Sequence, residues 1–244
     1  MALMASGKLH RCGELGGQPS EVSALEAEFA AELGLRYCVA LNACGSAMFV
    51  ALKAAGVMPG DAVLSNCFTL APVPGAIAHA QARPLRVDVT DDYTIDLADL
   101  ERKAQASGAK TLLLSHMRGH IVDMPALMAI CRRHGVQAIE DCAHTMGAGW
   151  AGRATGTWGR AGCFSLHSCK HANAGEGSLL ATDDADIAAP VNNAQVRPWQ
   201  SSRLSAGRDP YAVVHAVQAP RTVWPLPPER DHAGPSRISA CPQR

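Results

Sequence analysis

Residues 111–141 have the sequence TLLLSHMRGHIVDMPALMAICRRHGVQAIED, in which two short apolar runs flank a periodic segment. The runs Thr111 to Ser115 and Val136 to Ile139 are continuous rather than alternating, which is typical of strands buried on both faces. Between them, Pro125 to His134 has helical periodicity, and Gly135 follows as a common helix terminator. The stretch therefore predicts a strand–helix–strand unit, and such a unit favours a parallel sheet.

The same alternation continues on both sides of this stretch. Ser20 to Leu33 is expected to form a helix, with Ser23 and Glu26 at the spacing of a capping box and Gly34 at its end. We therefore predict an α/β fold, a three-layer α/β/α arrangement with a mostly parallel sheet. Further strands are expected at Tyr37–Leu41, Ala62–Ser65, Leu85–Val89, Gly162–Leu166 and Ser178–Ala181, and further helices at Ser46–Ala55 and, opened by Asp96, Leu97–Ala106.

The composition is that of an ordinary globular protein, with 48% apolar and 18% charged residues and a formal net charge of zero. The zero net charge gives no reason to expect a nucleic acid or an anionic membrane as partner. We see neither a signal peptide at residues 1–7 nor a run of about 20 apolar residues that could span a bilayer. The nine cysteines are scattered, mostly within apolar runs, which indicates a reducing, cytoplasmic compartment.

The chain divides into three predicted parts: an N-terminal arm at residues 1–20, a central domain at 21–190 and an irregular tail at 191–244. Eight of the fifteen prolines lie between Arg197 and Arg244, together with seven arginines and no lysine. Such a composition opposes regular structure, so we do not expect a second packed domain in the tail.

Lys170 is the strongest candidate for chemistry. It follows the apolar run that begins at Phe164 and precedes the turn Gly175-Glu176-Gly177. An amine held in a cleft by such a turn can form a Schiff base with an aldehyde cofactor. Asp141, at the end of a predicted strand, can hold the ring nitrogen of such a cofactor protonated. Taken singly, Lys170 could equally be a surface lysine and Asp141 the cap of a following helix.

The loop Asn42 to Ser46 runs from a predicted strand into a predicted helix. Its helix start offers free N–H groups and the positive end of the dipole, Gly45 permits close backbone approach, and Ser46 adds a hydroxyl group. The loop can therefore bind a phosphate group, although an ordinary helix cap would look similar. Ser165 is a second hydroxyl candidate for the same phosphate.

Histidines lie near the same predicted sheet edge. His116 and His120 follow another strand, and we expect one of them to contact substrate or the cofactor edge. His144 either faces the cofactor or hydrogen-bonds a nearby carbonyl group.

A zinc site is the alternative use of such residues. Cys142 and His144 are two apart, and His167, Cys169 and His171 share one face of an extended segment. No second pair has the spacing of a structural zinc site, so we predict no metal.

Taken together, these stretches resemble the DegT-type family of pyridoxal-phosphate sugar aminotransferases, of aspartate-aminotransferase fold. The resemblance extends from about Val22 to Ala188. The matching stretches are Pro59-Gly60-Asp61-Ala62-Val63, Phe68-Thr69, Asp88-Val89 before Ile95-Asp96, Gly119-His120 with Asp123-Met124, Glu140-Asp141, Gly147-Ala148, Phe164-Ser165 with Lys170, and Gly175-Glu176-Gly177.

The resemblance implies that the central domain is the large domain of a fold type I enzyme that binds pyridoxal 5'-phosphate. It implies Lys170 as the Schiff-base lysine, Asp141 as the partner of the ring nitrogen, and His144 where the family usually has a glutamine. The phosphate contacts that it implies are Ser165 together with Cys44, Gly45 and Ser46.

The implied reaction is a ping-pong transamination in polysaccharide biosynthesis. An amino-acid donor such as glutamate would supply the amino group, and a keto sugar on a nucleotide would receive it, with Lys170 as the proton shuttle. The family also implies a homodimer. Two alternatives stay open: a non-catalytic remnant or regulatory subunit that binds the cofactor, and a sugar dehydratase, suggested by His144 and His171.

The sequence departs from the family pattern at several points. Leu70 occupies the place of an aromatic ring that stacks on the cofactor, and Ser178 follows Gly177 where a glycine is usual. Family members continue into a small C-terminal domain, for which we find no counterpart after about residue 200.

Overall fold

The structure, a computed structural model, describes residues 20–196. The helices are α1 (Glu21–Leu33), α2 (Cys44–Ala54), α3 (Pro72–His79), α4 (Leu97–Ser107), α5 (Met124–His134) and α6 (Ala185–Val196). The strands are β1 (Tyr37–Leu41), β2 (Ala62–Asn66), β3 (Arg83–Val87), β4 (Thr111–Ser115), β5 (Gln137–Asp141), β6 (Gly149–Trp150), β7 (Arg153–Ala154), β8 (Ala161–Ser165) and β9 (Ser178–Thr182).

One sheet of seven strands organises the described part of the chain, in the order β1-β9-β8-β5-β4-β2-β3. Neighbouring strands from β3 to β8 in this order are parallel, and only β9 runs against its two neighbours. The prediction of a mostly parallel sheet is therefore confirmed. Because parallel strands end at the same edge, the turns that follow β4, β5 and β8 are brought together there.

Helices cover both faces of the sheet, as the continuous apolar strands predicted. Leu113, Ile139 and Leu180 pack on one face with residues of α2, α3 and α6. Their sequence neighbours Leu112 and Ala138 point to the opposite face, which α4 and α5 cover. Next to them, α1 packs its Phe29 against Phe164 of β8 on that same face. Each fully buried leucine contributes on the order of 2 kcal/mol, so burial on both faces holds the three layers together.

The ends of α1 differ in part from the prediction. Gly34 ends the helix in the left-handed conformation, as expected, with φ of 66°. The predicted capping box at Ser23 and Glu26 is wrong, because Ser20 is the N-cap and its hydroxyl accepts from the N–H of Ser23 at 3.2 Å. Glu26 instead accepts from the N–H of Ala40 at 2.7 Å. Since β1 is an edge strand, its outward N–H groups need such acceptors.

Two elements and the bounds of one strand were not expected from the sequence. α3 contains Pro72, Pro74 and Gly75, which obscure helical periodicity, although proline is compatible with the first helical turn. The hairpin of β6 and β7 is too short to carry a strand pattern. β3 begins two residues before the predicted Leu85 and ends at Val87 instead of the predicted Val89. Val89 lies beyond the strand because it pairs with Ile95 in an isolated bridge.

Most of the predicted arm and tail lies outside the described residues. α6 continues through the boundary predicted at residue 190 and includes Pro190. None of the helices between residues 20 and 196 has the length and apolar character needed to cross a bilayer.

Candidate functional site

The ends of three adjacent parallel strands form the floor of the site. Ser115, the last residue of β4, lies opposite Asp141, the last residue of β5, and Asp141 lies opposite Cys163 of β8. Side chains alternate along a strand, so Ser115, Asp141 and Ser165 point to the face that α2 covers. Glu140 points to the other face. The sheet thus separates two carboxylates that are neighbours in sequence.

A cavity of about 360 Å³ opens at this edge, and we call it the Lys170 cavity. Its wall combines the start of α2, the loop before α3, the turn after β5 and the loop between β8 and β9. It includes seven of the predicted residues: Cys44, Gly45, Leu70, Asp141, His144, Ser165 and Lys170. Ser46 lines a neighbouring cavity of about 590 Å³ between α2 and α3, which shares Gly45 with the first.

The loop that carries Lys170 is closed by backbone hydrogen bonds. The N–H of Leu166 donates to the carbonyl of Gly177, and the N–H of Ala174 donates to the carbonyl of Leu166, both at 2.9 Å. Within this loop, the N–H of Lys170 donates to the carbonyl of His167 at 2.9 Å. The chain therefore leaves β8, makes a tight turn and returns, which holds Lys170 half-buried on the cavity wall.

Asp141 is buried and only partly hydrogen-bonded. The hydroxyl of Ser115 donates to its Oδ2 at 2.8 Å, and the N–H of Ala143 donates to its Oδ1 at 3.1 Å. A carboxylate has about four lone-pair sites, so about two stay available to a group in the cavity. Among the described residues, no ion pair joins Asp141 to Lys170. The two charges therefore face the cavity without neutralising each other by contact.

The thiol of Cys44 lines the same cavity and is influenced by both charges. Burial raises the pKa of its thiol well above the usual value, and the nearby carboxylate of Asp141 raises it further, while the positive charge of Lys170 opposes both. The thiol of Cys44 is consequently protonated at neutral pH. It contributes a neutral wall to the cavity and no nucleophile.

His144 is also uncharged at neutral pH. Burial lowers the pKa of its imidazole, and the positive charge of Lys170 lowers it further, against the opposing effect of Asp141. Its Nδ1 atom accepts from the N–H of Arg118 at 3.3 Å. Arg118 adopts a left-handed conformation, with φ of 59°, that a non-glycine residue takes only under local constraint. The turn thus fixes the ring in its neutral form.

The start of α2 offers its free N–H groups to the cavity. Ala43 is the N-cap and provides no side-chain cap, and no acidic residue occupies the first turn. A Cβ atom added to Gly45 would meet only Pro72 Cβ, at 3.7 Å. Packing therefore does not require glycine here, and the missing side chain leaves the backbone open. Together with the hydroxyl of Ser165, this helix start is suited to bind a phosphate group.

His116 lies behind the cavity wall rather than on it. Its side chain is 1% exposed, and its Nε2 atom is 3.1 Å from Oε2 of Glu140. Glu140 also accepts from the N–H groups of Gly156, Trp158 and Gly159, each at 2.8 Å. The placement of His116 is that of a buried structural residue, and it argues against the direct substrate contact suggested from the sequence.

His120 is exposed and packs against two aromatic rings outside the Lys170 cavity. Its ring centroid lies 6.3 Å from that of Phe68 and 5.8 Å from that of Tyr93. Contact of His120 with substrate stays a prediction.

The group of possible metal ligands that lies within 4.8 Å, in the part of the chain that is described, consists of His116, Glu140 and Cys142. All four lone-pair sites of Glu140 are already in use, so this group serves as a hydrogen-bond network. The sequence pointed to Cys142 in a different combination, with His144, and to a second group of His167, Cys169 and His171. One of them, His167, has its ring between the thiol of Cys169, at 3.1 Å, and the carboxylate of Glu176, at 3.3 Å.

Sequence reasoning missed Ser115 as a site residue. Its only signal was its position as the last residue of a predicted strand. The pairing of β4 with β5 brings it to Asp141, and that pairing cannot be inferred from the local sequence.

The chain resembles known proteins over about two thirds of its length. The chain is 35% identical over 169 residues to the spore coat polysaccharide biosynthesis protein SpsC of Bacillus subtilis, covering 69% of this chain and 43% of the relative. It is 36% identical over 166 residues to a UDP-N-acetyl-3-dehydro-alpha-D-glucosamine 3-aminotransferase of Acidithiobacillus ferrooxidans, covering 67% and 45%. The chain thus spans less than half the length of these relatives.

The solved structure of DesV from S. venezuelae, in complex with a ketimine intermediate, has the same fold. It superposes with a TM-score of 0.75 at 26% identity, covering 89% of this chain and 60% of DesV. The sequence model of the DegT/DnrJ/EryC1/StrS aminotransferase family matches residues 8–200. The chain therefore belongs to the DegT/DnrJ/EryC1/StrS aminotransferase family.

Proposed function

We propose that this chain binds pyridoxal 5'-phosphate and transfers an amino group from an amino-acid donor such as glutamate to a keto sugar carried on a nucleotide. The observation that carries the proposal is one cavity that combines the amine of Lys170, the carboxylate of Asp141 and the uncapped start of α2. The name of the A. ferrooxidans relative supports a keto nucleotide sugar as acceptor.

The residues present fit this cofactor. Lys170 provides the amine for its aldehyde, Asp141 an anionic partner for its ring nitrogen, and Ser165 with the start of α2 donors for its phosphate. Leu70, which is 47% exposed, and the neutral ring of His144 border the remaining space. When bound, the cofactor supplies an aldehyde that condenses with amines and a ring that withdraws electrons.

The side chains of the cavity have distinct roles in the proposed reaction. Lys170 would move the proton: its Nζ atom would take it from the carbon of the amino donor and deliver it to the carbon of the cofactor's aldehyde group. Asp141 holds a positive charge at the ring nitrogen and thereby keeps the ring electron-poor. Cys44 and His144 are neutral, so neither of them compensates the charge of Asp141. The order expected from the family is ping-pong, with donor and acceptor using the same cavity in turn.

We further propose a homodimer in the cytoplasm. The family supports the homodimer. Six cysteines of the described residues are free thiols, which supports a reducing compartment: Cys44, Cys67, Cys131, Cys142, Cys163 and Cys169.

The test is covalent trapping of the cofactor. The purified chain is mixed with pyridoxal 5'-phosphate, its visible spectrum is recorded, and borohydride is added before peptide mass analysis. Wild type and the control Lys110→Ala, which changes an exposed lysine, are expected to carry the cofactor on Lys170. Lys170→Ala is expected to carry none.

Addition of glutamate to the loaded chain then tests amino transfer through release of 2-oxoglutarate, and a keto nucleotide sugar tests the second half. A wild-type chain that is folded by circular dichroism but takes up no cofactor would overturn the proposal. An acceptor product that is a deoxy sugar rather than an amino sugar would favour the dehydratase.

A further inference from the structure

A chain of hydrogen bonds joins the last residues of three neighbouring strands, Asn66 of β2, Ser115 of β4 and Asp141 of β5. The hydroxyl of Ser115 donates to Oδ2 of Asp141 at 2.8 Å. These two side chains are 5% and 7% exposed, and Asn66 is 3% exposed. Such buried bonds are shielded from water and hold their geometry.

Asn66 fixes the backbone of Ser115. Its Oδ1 accepts from the N–H of Ser115 at 2.9 Å, and its Nδ2 donates to the carbonyl of Ser115 at 3.0 Å. The register of β2 on β4 ends at the pair Ser65 and Leu113, so the amide of Asn66 extends the ladder beyond its last backbone pair. The same Nδ2 donates to the carbonyl of Phe68 at 3.0 Å. Because both backbone groups of Ser115 are hydrogen-bonded, the position from which its side chain extends is fixed.

The carboxylate of Asp141 is consequently held at both oxygens. The N–H of Ala143 donates to Oδ1 and the hydroxyl of Ser115 to Oδ2. One donor on each oxygen fixes the plane of the carboxylate and stabilises its charged form. The remaining lone pairs then face the Lys170 cavity in one orientation. Without the hydroxyl, Oδ2 has no donor among the residues that the structure describes, and the carboxylate can turn about its Cβ–Cγ bond.

We propose that Ser115 is a positioning residue, which orients Asp141 toward the ring nitrogen of the bound cofactor. The inference rests on the proposed function. Ser115 then contributes to cofactor binding only by orienting Asp141 for its contact with the ring nitrogen. Ser115 does not line the cavity, so its removal changes no direct contact with a ligand.

The test compares two ligands that differ at that one atom. In 1-deazapyridoxal 5'-phosphate a C–H group replaces the ring nitrogen, so it forms no bond with Asp141. Dissociation constants of both ligands are measured by spectroscopic titration for wild type and Ser115→Ala. We expect the preference of wild type for the natural ligand to fall about tenfold in Ser115→Ala, the equivalent of one hydrogen bond to a charged group. Affinity for the deaza ligand is expected to stay within about twofold.

Matched variants separate positioning from packing. Ser65→Ala removes a buried hydroxyl from the adjacent strand for which the described part of the chain provides no hydrogen-bond partner, and it is expected to leave the preference unchanged. Ser115→Thr keeps the donor and should restore the preference. Ser115→Cys keeps the volume but offers a weaker donor, so its preference should fall even if Ser115→Ala does not fold.

Equal loss of affinity for both ligands in Ser115→Ala or Ser115→Cys would mean a purely structural role and would overturn the inference. An unchanged preference would overturn it too. In either case wild type still binds pyridoxal 5'-phosphate, and the proposed function stands. If wild type binds neither ligand, the proposed function and this inference fail together.

Discussion

The two sides of the sheet at the end of β5 differ in how many hydrogen-bonding sites they leave open. On one side, Glu140 is 0% exposed, and three backbone N–H groups and His116 occupy about all four of its lone-pair sites. On the other side, Asp141 accepts from Ser115 and Ala143 and keeps about two sites for the cavity. The two adjacent carboxylates thus differ in role because the lone-pair sites of Glu140 are occupied and some of those of Asp141 are free. Unused bonding capacity, rather than residue type, marks the candidate site.

The largest effect is expected for a change at Glu140, whose lone-pair sites are occupied. In Glu140→Gln the amide has one oxygen, so at least one buried N–H among residues 156–159 faces an NH₂ group instead of an acceptor. We expect the free energy of unfolding to fall by about 3 kcal/mol, measured by denaturant titration. Glu101→Gln is the control, since Glu101 pairs with Arg133 at the surface. An unchanged midpoint for Glu140→Gln would mean that this network does not support the fold.

Asp141→Asn should have the opposite effect to Glu140→Gln: it should weaken cofactor binding and leave stability nearly unchanged. The side chain keeps its size, its oxygen can accept from the N–H of Ala143 and its NH₂ group can donate to the hydroxyl of Ser115, so stability should change by less than about 1 kcal/mol. The negative charge opposite the ring nitrogen is lost, and we expect the affinity for pyridoxal 5'-phosphate to fall about thirtyfold, or about 2 kcal/mol. Cofactor titration beside thermal unfolding measures both quantities. A stability loss as large as that of Glu140→Gln would remove the distinction between the two sides.

The smallest effect concerns the proton on His144. Burial and then the charge of Lys170 lower the pKa of its imidazole, so an NMR titration should find a midpoint below the usual value of about 6.5. Lys170→Met removes the second cause and should raise the pKa. Lys110→Met is the control. An unchanged midpoint in Lys170→Met would mean that Lys170 does not reach into the cavity beside His144.

The same shift predicts a weak dependence of stability on pH. Between the lowered pKa of His144 and about 6.5, the unfolded chain binds more protons than the native chain. Stability therefore rises with pH through this window, and below it the contribution of His144 no longer changes with pH, because both states are then protonated. His144→Gln should reduce that slope slightly, because the side chain is only partly buried and its charge is screened by solvent.

Local signals accounted for the features that depend on neighbouring residues. Gly34 and Gly135 end their helices in the left-handed conformation, and Asp96 caps α4 by accepting from the N–H groups of Ala98 and Asp99. Strand β4 has the predicted bounds. The error at Ser23 arose because two serines three residues apart both suit an N-cap, and only the contact of Glu26 with β1 distinguishes them.

By itself, the sequence determined the α/β class, the mostly parallel sheet and the candidate pair of Lys170 and Asp141, because apolar runs, turn residues and ordered motifs are local. Only the tertiary structure decided that Ser115 contacts Asp141, that His116 lies buried against Glu140, and that Glu140 and Asp141 face opposite sides. These facts depend on which strands pair and in which register. Strand pairing joins residues far apart in the chain, and a local pattern does not contain that information.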